Sequence, residues 1–248
     1  MIDEEDREKT AFSTPFGLFQ NKALGFGLTG GPATYSRLVE RVLKDVPQSA
    51  AINFLDDGIA HSPDVDQHYH NLHITLCAYG AAGLKLSPAK CAFFKTQVEF
   101  LGYLVTALGI APTESYKLAV QRAELPTDRT GARSFVGICN YYRSLVWRFA
   151  ARAAPWTDVT GPPLKKGETQ TIVVTPAMLD AFKDLKYAIT HAPVMGFPYF
   201  EGPKAGKFIL DTDFAKICIA AVLSQLQEGM EVVIAYGSNK LAKSQSNY

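Results

Sequence analysis

Ala51-Ile52-Asn53-Phe54-Leu55 runs straight into Asp56-Asp57, and Gly58-Ile59-Ala60 follows. Apolar runs flanking an Asp-Gly pair read as a tight β-hairpin, because glycine supplies the positive φ that such turns need. The two carboxylates then have two readings. They are solvated residues at a hairpin tip, or they are hard oxygen ligands for Mg²⁺ at the end of a rigid strand pair. Spacing alone does not choose between them; the flanking sequence does.

Apolar residues make up 47% of the 248 positions and charged residues 20%, the balance of a globular chain with a real core. No apolar run approaches the ~20 residues of a membrane span. Met1 is followed by Ile2-Asp3-Glu4-Glu5-Asp6, which is not the pattern of a signal peptide. Cys77, Cys91, Cys139 and Cys218 are scattered, form no Cys-x-x-Cys knuckle, and point to a reducing, intracellular setting. Charge is uneven along the chain. Residues 1–84 hold six Lys/Arg against eleven Asp/Glu, and residues 111–166 hold nine against four. An acidic part followed by a basic part suits a metal site beside a phosphate-binding surface; an ordinary basic helix face has the same count.

Around the hairpin the chain reads as alternating short strands and helices. Residues 10–24 form a first hairpin turning at Pro15-Phe16-Gly17. Gly25 to Tyr35 is a glycine-rich turn into a helix that carries Pro32 in its first turn. It lacks a Gly-Lys-Ser/Thr ending, which excludes a P-loop. Val65, Tyr69, Leu72, Leu76 and Tyr79 recur at helical steps and predict a helix packed on a sheet. His68, His70 and His73 lie outside that stripe and read as its solvated side.

Val98 to Val105 reads as one strand, and Gly109 to Pro112 as a boundary. Helices are then predicted over Tyr116–Leu125 and Gly131–Ala150, the second with Phe135, Ile138, Tyr142 and Val146 on one side. Arg133, Tyr141, Arg143, Arg148 and Arg152 surround that helix. Arginines interleaved with aromatics suit a nucleic-acid backbone, and equally suit the flanks of a packed aromatic stripe. Thr175-Pro176-Ala177 opens another helix, buried through Met178, Phe182, Leu185 and Ile189. Strands are predicted over Phe208–Asp213, Ile217–Leu223 and Glu231–Tyr236.

Taken together, and in this order, these pieces resemble the reverse transcriptases of Ty3/gypsy-type LTR retrotransposons. Thr10-Ala11-Phe12-Ser13-Thr14-Pro15-Phe16-Gly17 looks like that family's fingers-palm hairpin. Phe26-Gly27-Leu28-Thr29 with Pro32-Ala33-Thr34 is similar to its nucleotide pocket, and Phe54-Leu55-Asp56-Asp57 to its Tyr-x-Asp-Asp box. Gly83-Leu84-Lys85-Leu86 and Phe100-Leu101-Gly102-Tyr103 resemble the following helix end and the primer grip. Ser134-Phe135-Val136-Gly137 with Asn140-Tyr141-Tyr142-Arg143 looks like the thumb, Ala192-Pro193-Val194 like the connector, and Asp211-Thr212-Asp213 like the first ribonuclease H strand.

The resemblance implies an α+β fold. It places a partial fingers/palm over residues 1–110, a thumb over 111–158, a connector over 159–205 and a truncated ribonuclease H-like domain over 206–248. It implies RNA-directed DNA polymerisation with two Mg²⁺ (or Mn²⁺) ions, an RNA/DNA primer–template and deoxynucleoside triphosphates as partners, and a cytoplasmic particle or the nucleus as location. Asp56 and Asp57 would be the catalytic metal ligands. Phe26 and Gly27 would line the nucleotide pocket, and Arg133, Tyr141, Arg143 and Arg148 would meet nucleic acid. Asp213 would be the ribonuclease H remnant.

The departures are specific. The family's first metal-binding aspartate and its ribose-excluding aromatic belong upstream of Met1. Gly25 stands where Pro is usual, Gly30-Gly31 where Asn-Ala is usual, Phe54 where Tyr is usual, and Gly58 where an aliphatic is usual. Gln245 takes the place of the second ribonuclease H carboxylate. The expectation is an internal fragment of a polyprotein, inactive by itself, with a catalytically silent nucleic-acid-binding or scaffold protein as the alternative. Gly58 is expected to loosen the hairpin.

Overall fold

A computed structural model describes residues 1–25, 27–162 and 168–241. It is α+β and divides into two compact units, Met1–Lys95 and Thr96–Tyr248. Among the described residues no helix is long and apolar enough to cross a membrane.

The first unit opens with a 3₁₀ turn, Glu4–Thr10, whose first N–H is accepted by the Asp3 carboxylate at 2.8 Å. The first hairpin pairs β1 (Phe12–Thr14) with β2 (Gly17–Phe19). Helix α1 (Gly31–Val42) begins after the glycine-rich turn with proline in its first turn, where a missing N–H is harmless. The acidic hairpin pairs β3 (Ala51–Phe54) with β4 (Asp57–Ala60), and α2 (Val65–Ala81) packs on both strands. Asp64 caps α2, accepting the Gln67 N–H at 2.8 Å.

The face that α2 buries overlaps the expected apolar stripe only in part: Leu72 and Tyr79 are half-buried. Val65 and Tyr69 are 70% and 66% exposed, and Leu76 is exposed too. The buried positions are Asn71 and Thr75. The reason lies in what the hairpin offers. Just past its end lie a backbone carbonyl and a hydroxyl with which Asn71 pairs, while Thr75 satisfies its hydroxyl within the helix. Asn71 Nδ2 donates to the His61 carbonyl and to Ser62 Oγ, both at 2.9 Å, while its Oδ1 accepts from Gln67 Nε2 at 2.7 Å. Thr75 Oγ1 donates to the Asn71 carbonyl at 2.7 Å.

In the second unit a three-stranded meander comes first. Strands β5 (Gln97–Phe100), β6 (Tyr103–Thr106) and β7 (Gly109–Pro112) are antiparallel and adjacent in chain order. The single strand expected over 98–105 is thus two strands. Leu101 and Gly102 both take positive φ, +46° and +72°, the signature of a two-residue hairpin turn. The expected boundary at Gly109 is a strand start. Ile110 and Met195 exchange backbone hydrogen bonds of 2.8 and 2.9 Å. A Cβ at Gly109 would lie 1.8 Å from the Met195 carbonyl oxygen, so only glycine permits this approach.

Helices α3 (Glu114–Arg122), α4 (Arg129–Tyr141), α5 (Phe149–Thr160) and α6 (Pro176–Thr190) build the main core. Thr113, Asp128 and Thr175 cap three of them through side-chain oxygens. The long helix expected over 131–150 is interrupted after Tyr141, and Arg148 sits in the left-handed region at φ +51°. A tertiary partner meets the restart. The N–H of Ala150, an orphan in the first turn of α5, donates to Ser238 Oγ at 2.9 Å. Inside, Phe135 meets Phe182 at 4.7 Å and Trp156 at 5.8 Å between ring centroids. Trp156 Nε1 donates to the Met178 carbonyl at 2.8 Å, so this fully buried indole is satisfied. Burial pushes the Cys139 thiol up to about 12.

The last sheet has the order β10-β9-β8, from β8 (Phe208–Ala215), β9 (Cys218–Gln227) and β10 (Met230–Lys240), all antiparallel. Among the described residues the outer edge of β8 is unpaired.

Both tryptophans, Trp147 and Trp156, belong to the second unit, so intrinsic fluorescence reports that unit alone. Leu185→Ala, at a position with no exposed surface, is expected to lower its stability by about 2–5 kcal/mol in urea titrations followed by tryptophan emission. Asn71→Ala should leave the same transition unmoved. In the native protein at pH 8, a thiol reagent should modify exposed Cys77 within minutes and leave Cys139 untouched.

Candidate active site

The acidic hairpin closes on the pair Phe54 and Asp57. Its two turn residues are therefore Leu55 and Asp56, not Asp57 and Gly58. Leu55 carries the positive φ, +53°, and Gly58 lies inside β4 opposite Asn53. The glycine has a different use. A Cβ there would come within 3.0 Å of Asn53 Oδ1 and 3.2 Å of the Tyr79 hydroxyl. Its absence admits a hydrogen bond of 2.9 Å from the Tyr79 hydroxyl to Asn53 Oδ1. Asn53 Nδ2 in turn donates to the Leu55 carbonyl at 2.6 Å. The loosening expected from Gly58 is thus met by side chains that occupy its space.

Asp56 and Asp57 are exposed, and among the described residues neither carboxylate makes a hydrogen bond or ion pair with the protein. Adjacent, unneutralised carboxylates at the end of a short strand pair fit a hard divalent cation. Mg²⁺ takes one or two carboxylates and completes its shell with water and phosphate oxygens. No group of three or more His, Cys, Asp or Glu residues converges among the described residues, so the site offers this carboxylate pair and no closed cage. Gly27 adopts φ +87° in the turn before α1. Phe26 lies outside the described residues.

In the second unit the basic residues named from sequence all find acceptors within the chain. Arg133 Nη2 donates to the Gly161 carbonyl at 2.9 Å. Arg143 donates to the Ser238 carbonyl. Arg148 pairs with Asp213, its Nε lying 2.7 Å from Oδ2. Arg152 pairs with Asp184 at 3.0 Å. Arg143 and Arg148 therefore tie the segment around α5 to the last sheet. The guanidiniums keep further N–H donors, and Arg143 and Arg148 stay exposed.

Tyr141 donates to the Leu101 carbonyl at 2.5 Å, and its ring lies 5.6 Å from that of Tyr103. Tyr142, fully buried, donates to the Gly102 carbonyl. Two adjacent tyrosines thus hold the β5–β6 turn onto the end of α4. Burial raises Tyr103, Tyr116 and Tyr142 above the usual phenol range, so their hydroxyls remain donors.

Sequence reasoning missed Asn53 and Tyr79 and the pairing of Arg148 with Asp213. Asn53 interrupts an apolar strand and faces a glycine, which is a readable signal for a polar contact. Nothing local links Arg148 to a carboxylate so far along the chain.

Known proteins bear on this geometry. Residues 1–105 match the family described as reverse transcriptase (RNA-dependent DNA polymerase). Residues 174–248 match the RNase H-like domain found in reverse transcriptase. The chain is 35% identical over 252 residues to the retrovirus-related Pol polyprotein from transposon opus of Drosophila melanogaster, an alignment that takes in 100% of the chain and 25% of that protein. It is 34% identical over 224 residues to the Pol polyprotein from transposon 297 of the same fly, covering 90% of the chain and 20% of the relative. The transposon Tf2-3 polyprotein of Schizosaccharomyces pombe is 28% identical over 248 residues, 100% of the chain and 18% of the polyprotein. The chain thus spans about a quarter or less of the length of these relatives.

Among solved structures, it shares the fold of a foamy viral protease-reverse transcriptase in complex with RNA/DNA hybrid. The TM-score is 0.82 at 20% identity, over 99% of this chain and 32% of that one. A second form, in complex with double-stranded DNA, gives 0.83 at 21% identity, over 99% and 41%. The motifs, their order and the fold agree: the chain belongs to the reverse transcriptase family, alongside Ty3/gypsy-type retrotransposon Pol polyproteins.

Proposed function

We propose that this chain supplies the acidic half of a polymerase active site within a longer retrotransposon polyprotein that copies RNA into DNA. The observation that carries this reading is the exposed Asp56–Asp57 pair, free of protein partners among the described residues, at the tip of the β3–β4 hairpin. Asp56 and Asp57 would hold Mg²⁺ or Mn²⁺. When bound, the metal lowers the pKa of a primer hydroxyl and offsets the charge of a triphosphate. Asp56, in the turn, has the freer approach, and Asp57 is anchored by strand pairing. Phe26 and Gly27 would line the deoxynucleotide side of the pocket, as the family resemblance implies.

The working partition is fingers/palm over residues 1–110, thumb over 111–158, connector over 159–205 and a ribonuclease H-like part over 206–248. The primer–template would meet Arg133, Tyr141, Arg143 and Arg148. Each of these already holds a carbonyl or carboxylate of the chain, so phosphate contacts would use the spare guanidinium N–H groups, while Tyr141, whose one O–H is committed to Leu101, would offer its exposed ring. Asp213 is taken up by Arg148, which disfavours metal at that carboxylate.

Three outcomes follow for residues 1–248 by themselves. First, they should not extend a primer with Mg²⁺ and deoxynucleotides, because two carboxylates leave two closely spaced cations undercompensated. Joined in frame to the upstream segment of a relative, they should, and Asp56→Asn should abolish that gain. Extension by residues 1–248 alone that is lost in Asp56→Asn would refute this. Second, an RNA strand in an RNA–DNA hybrid should stay intact; metal-dependent cleavage that vanishes in Asp213→Asn is the contrary result. Third, a labelled duplex should bind weakly, without sequence preference, and with affinity that falls linearly in log–log salt titration. Arg133→Ala should make that slope shallower by about one contact. Salt-independent binding, or none at low ionic strength, rules the surface out.

A further inference from the structure

We propose that Tyr79 and Asn53 are positioning residues that clasp the Asp56-bearing turn to α2, with Gly58 as the opening that admits them. The inference deepens the metal-site reading and rests on it.

The clasp has three parts. The Tyr79 hydroxyl donates to Asn53 Oδ1 at 2.9 Å, across 26 positions of sequence. The same Asn53 amide turns its other end to the turn, where Nδ2 donates to the Leu55 carbonyl at 2.6 Å. Leu55 is the residue immediately before Asp56, and its backbone is held at φ +53°, a conformation unfavourable for a side chain of its kind. One amide therefore links a helix to the strained residue of the turn. Both ends of that amide are used, which fixes its orientation.

Gly58 completes the arrangement from the opposite strand. It is the cross-strand partner of Asn53, and the space its missing side chain leaves is filled by the two partner oxygens. A second polar contact ties α2 to the end of the hairpin, where Asn71 donates to His61 and Ser62 just after β4. A polar seam is directional. Apolar packing lets a hairpin slide by fractions of an ångström, whereas paired donors and acceptors hold it in one place. Tyr79 is suited to the task because burial raises its hydroxyl further above neutrality, with nearby Tyr35 adding to the effect.

The test uses ¹⁵N-labelled residues 1–248, with Mn²⁺ as the probe and two readouts per variant. Amide hydrogen exchange at Leu55, Asp56 and Asp57 reports the clasp. Line broadening of the Asp56 and Asp57 amides by Mn²⁺ reports the site. Tyr79→Phe removes one oxygen and keeps the ring. It should speed exchange about fivefold to tenfold, the scale of one lost hydrogen bond, and raise the half-broadening Mn²⁺ concentration several-fold. Asn53→Ala should do the same, and the double variant should add little to either, since both break one device. Gly58→Ala should reproduce the effect by crowding the two oxygens. Tryptophan-monitored unfolding of the second unit should not change in any of them.

Unchanged exchange in Tyr79→Phe, or additive effects in the double variant, overturns the clasp. Faster exchange with unchanged Mn²⁺ affinity overturns its positioning role and leaves a purely structural contact. Absence of Mn²⁺ broadening in the unsubstituted chain overturns the metal-site reading itself, which the exchange data distinguish from failure of the clasp.

Discussion

A two-residue hairpin leaves no choice about what stands at its tip once its register is set. Pairing of Ala51 with Ala60 and of Phe54 with Asp57 puts Asp56 in the turn and Asp57 at the head of the return strand. A slip of one residue would send alternate side chains to the other face and break up the acidic pair. The placement of both carboxylates depends on that register. The hydrogen bonds of Asn53 with Tyr79 and with the Leu55 carbonyl reinforce it, because they exist in one alignment only. Burial does less here. Among the described residues of the first unit the buried apolar side chains are Val39, Ala50 and Ala51, so specific polar pairing carries more of the order than hydrophobic mass.

The second unit works the other way. A continuous apolar core of Phe135, Trp156, Phe182, Leu185 and Ile189 supplies its stability, and arginines decorate the seams. Arg148 with Asp213, Arg152 with Asp184 and Lys240 with Asp158 are exposed or half-exposed pairs. Each contributes between nothing and about 1 kcal/mol. Their value is orientation: two of them register the α5 segment against the last sheet and Arg152–Asp184 registers α5 against α6, without adding much to the energy that holds them.

Much of this was legible in the sequence, for identifiable reasons. Helix α6 was read correctly because Met178, Phe182, Leu185 and Ile189 repeat with helical period and Thr175-Pro176 marks the start. The hairpin was legible from Asp56-Asp57-Gly58, although the residue with positive φ is Leu55 and not the glycine. What failed was whatever depended on a distant partner. The apolar stripe Val65, Tyr69, Leu72, Leu76 and Tyr79 matches the buried face of α2 only in part: Leu72 and Tyr79 are half-buried, but the most buried positions are Asn71 and Thr75, with Asn71 held by the His61 carbonyl. The helix expected over 131–150 crosses a break at Arg148, after which Ser238, from another element, caps the restart. At the site, the carboxylates were visible as residue types, but Tyr79 reaches Asn53 across the fold and no local pattern announces it.

The contact between Ile110 and Met195 has a consequence for how the second unit forms. Strand β7 acquires its outer neighbour from a segment that follows α6, so helices α3 to α6 are enclosed by two stretches of chain that pair with each other. The meander and the helices then have high contact order with respect to one another: neither is finished until the loop between them has closed. During synthesis the strands must wait, exposed, until the helices and the residues beyond them have emerged. The natural folding unit is therefore the whole enclosed segment, and a helical piece cut out between β7 and Met195 would lose the backbone pairing that closes it.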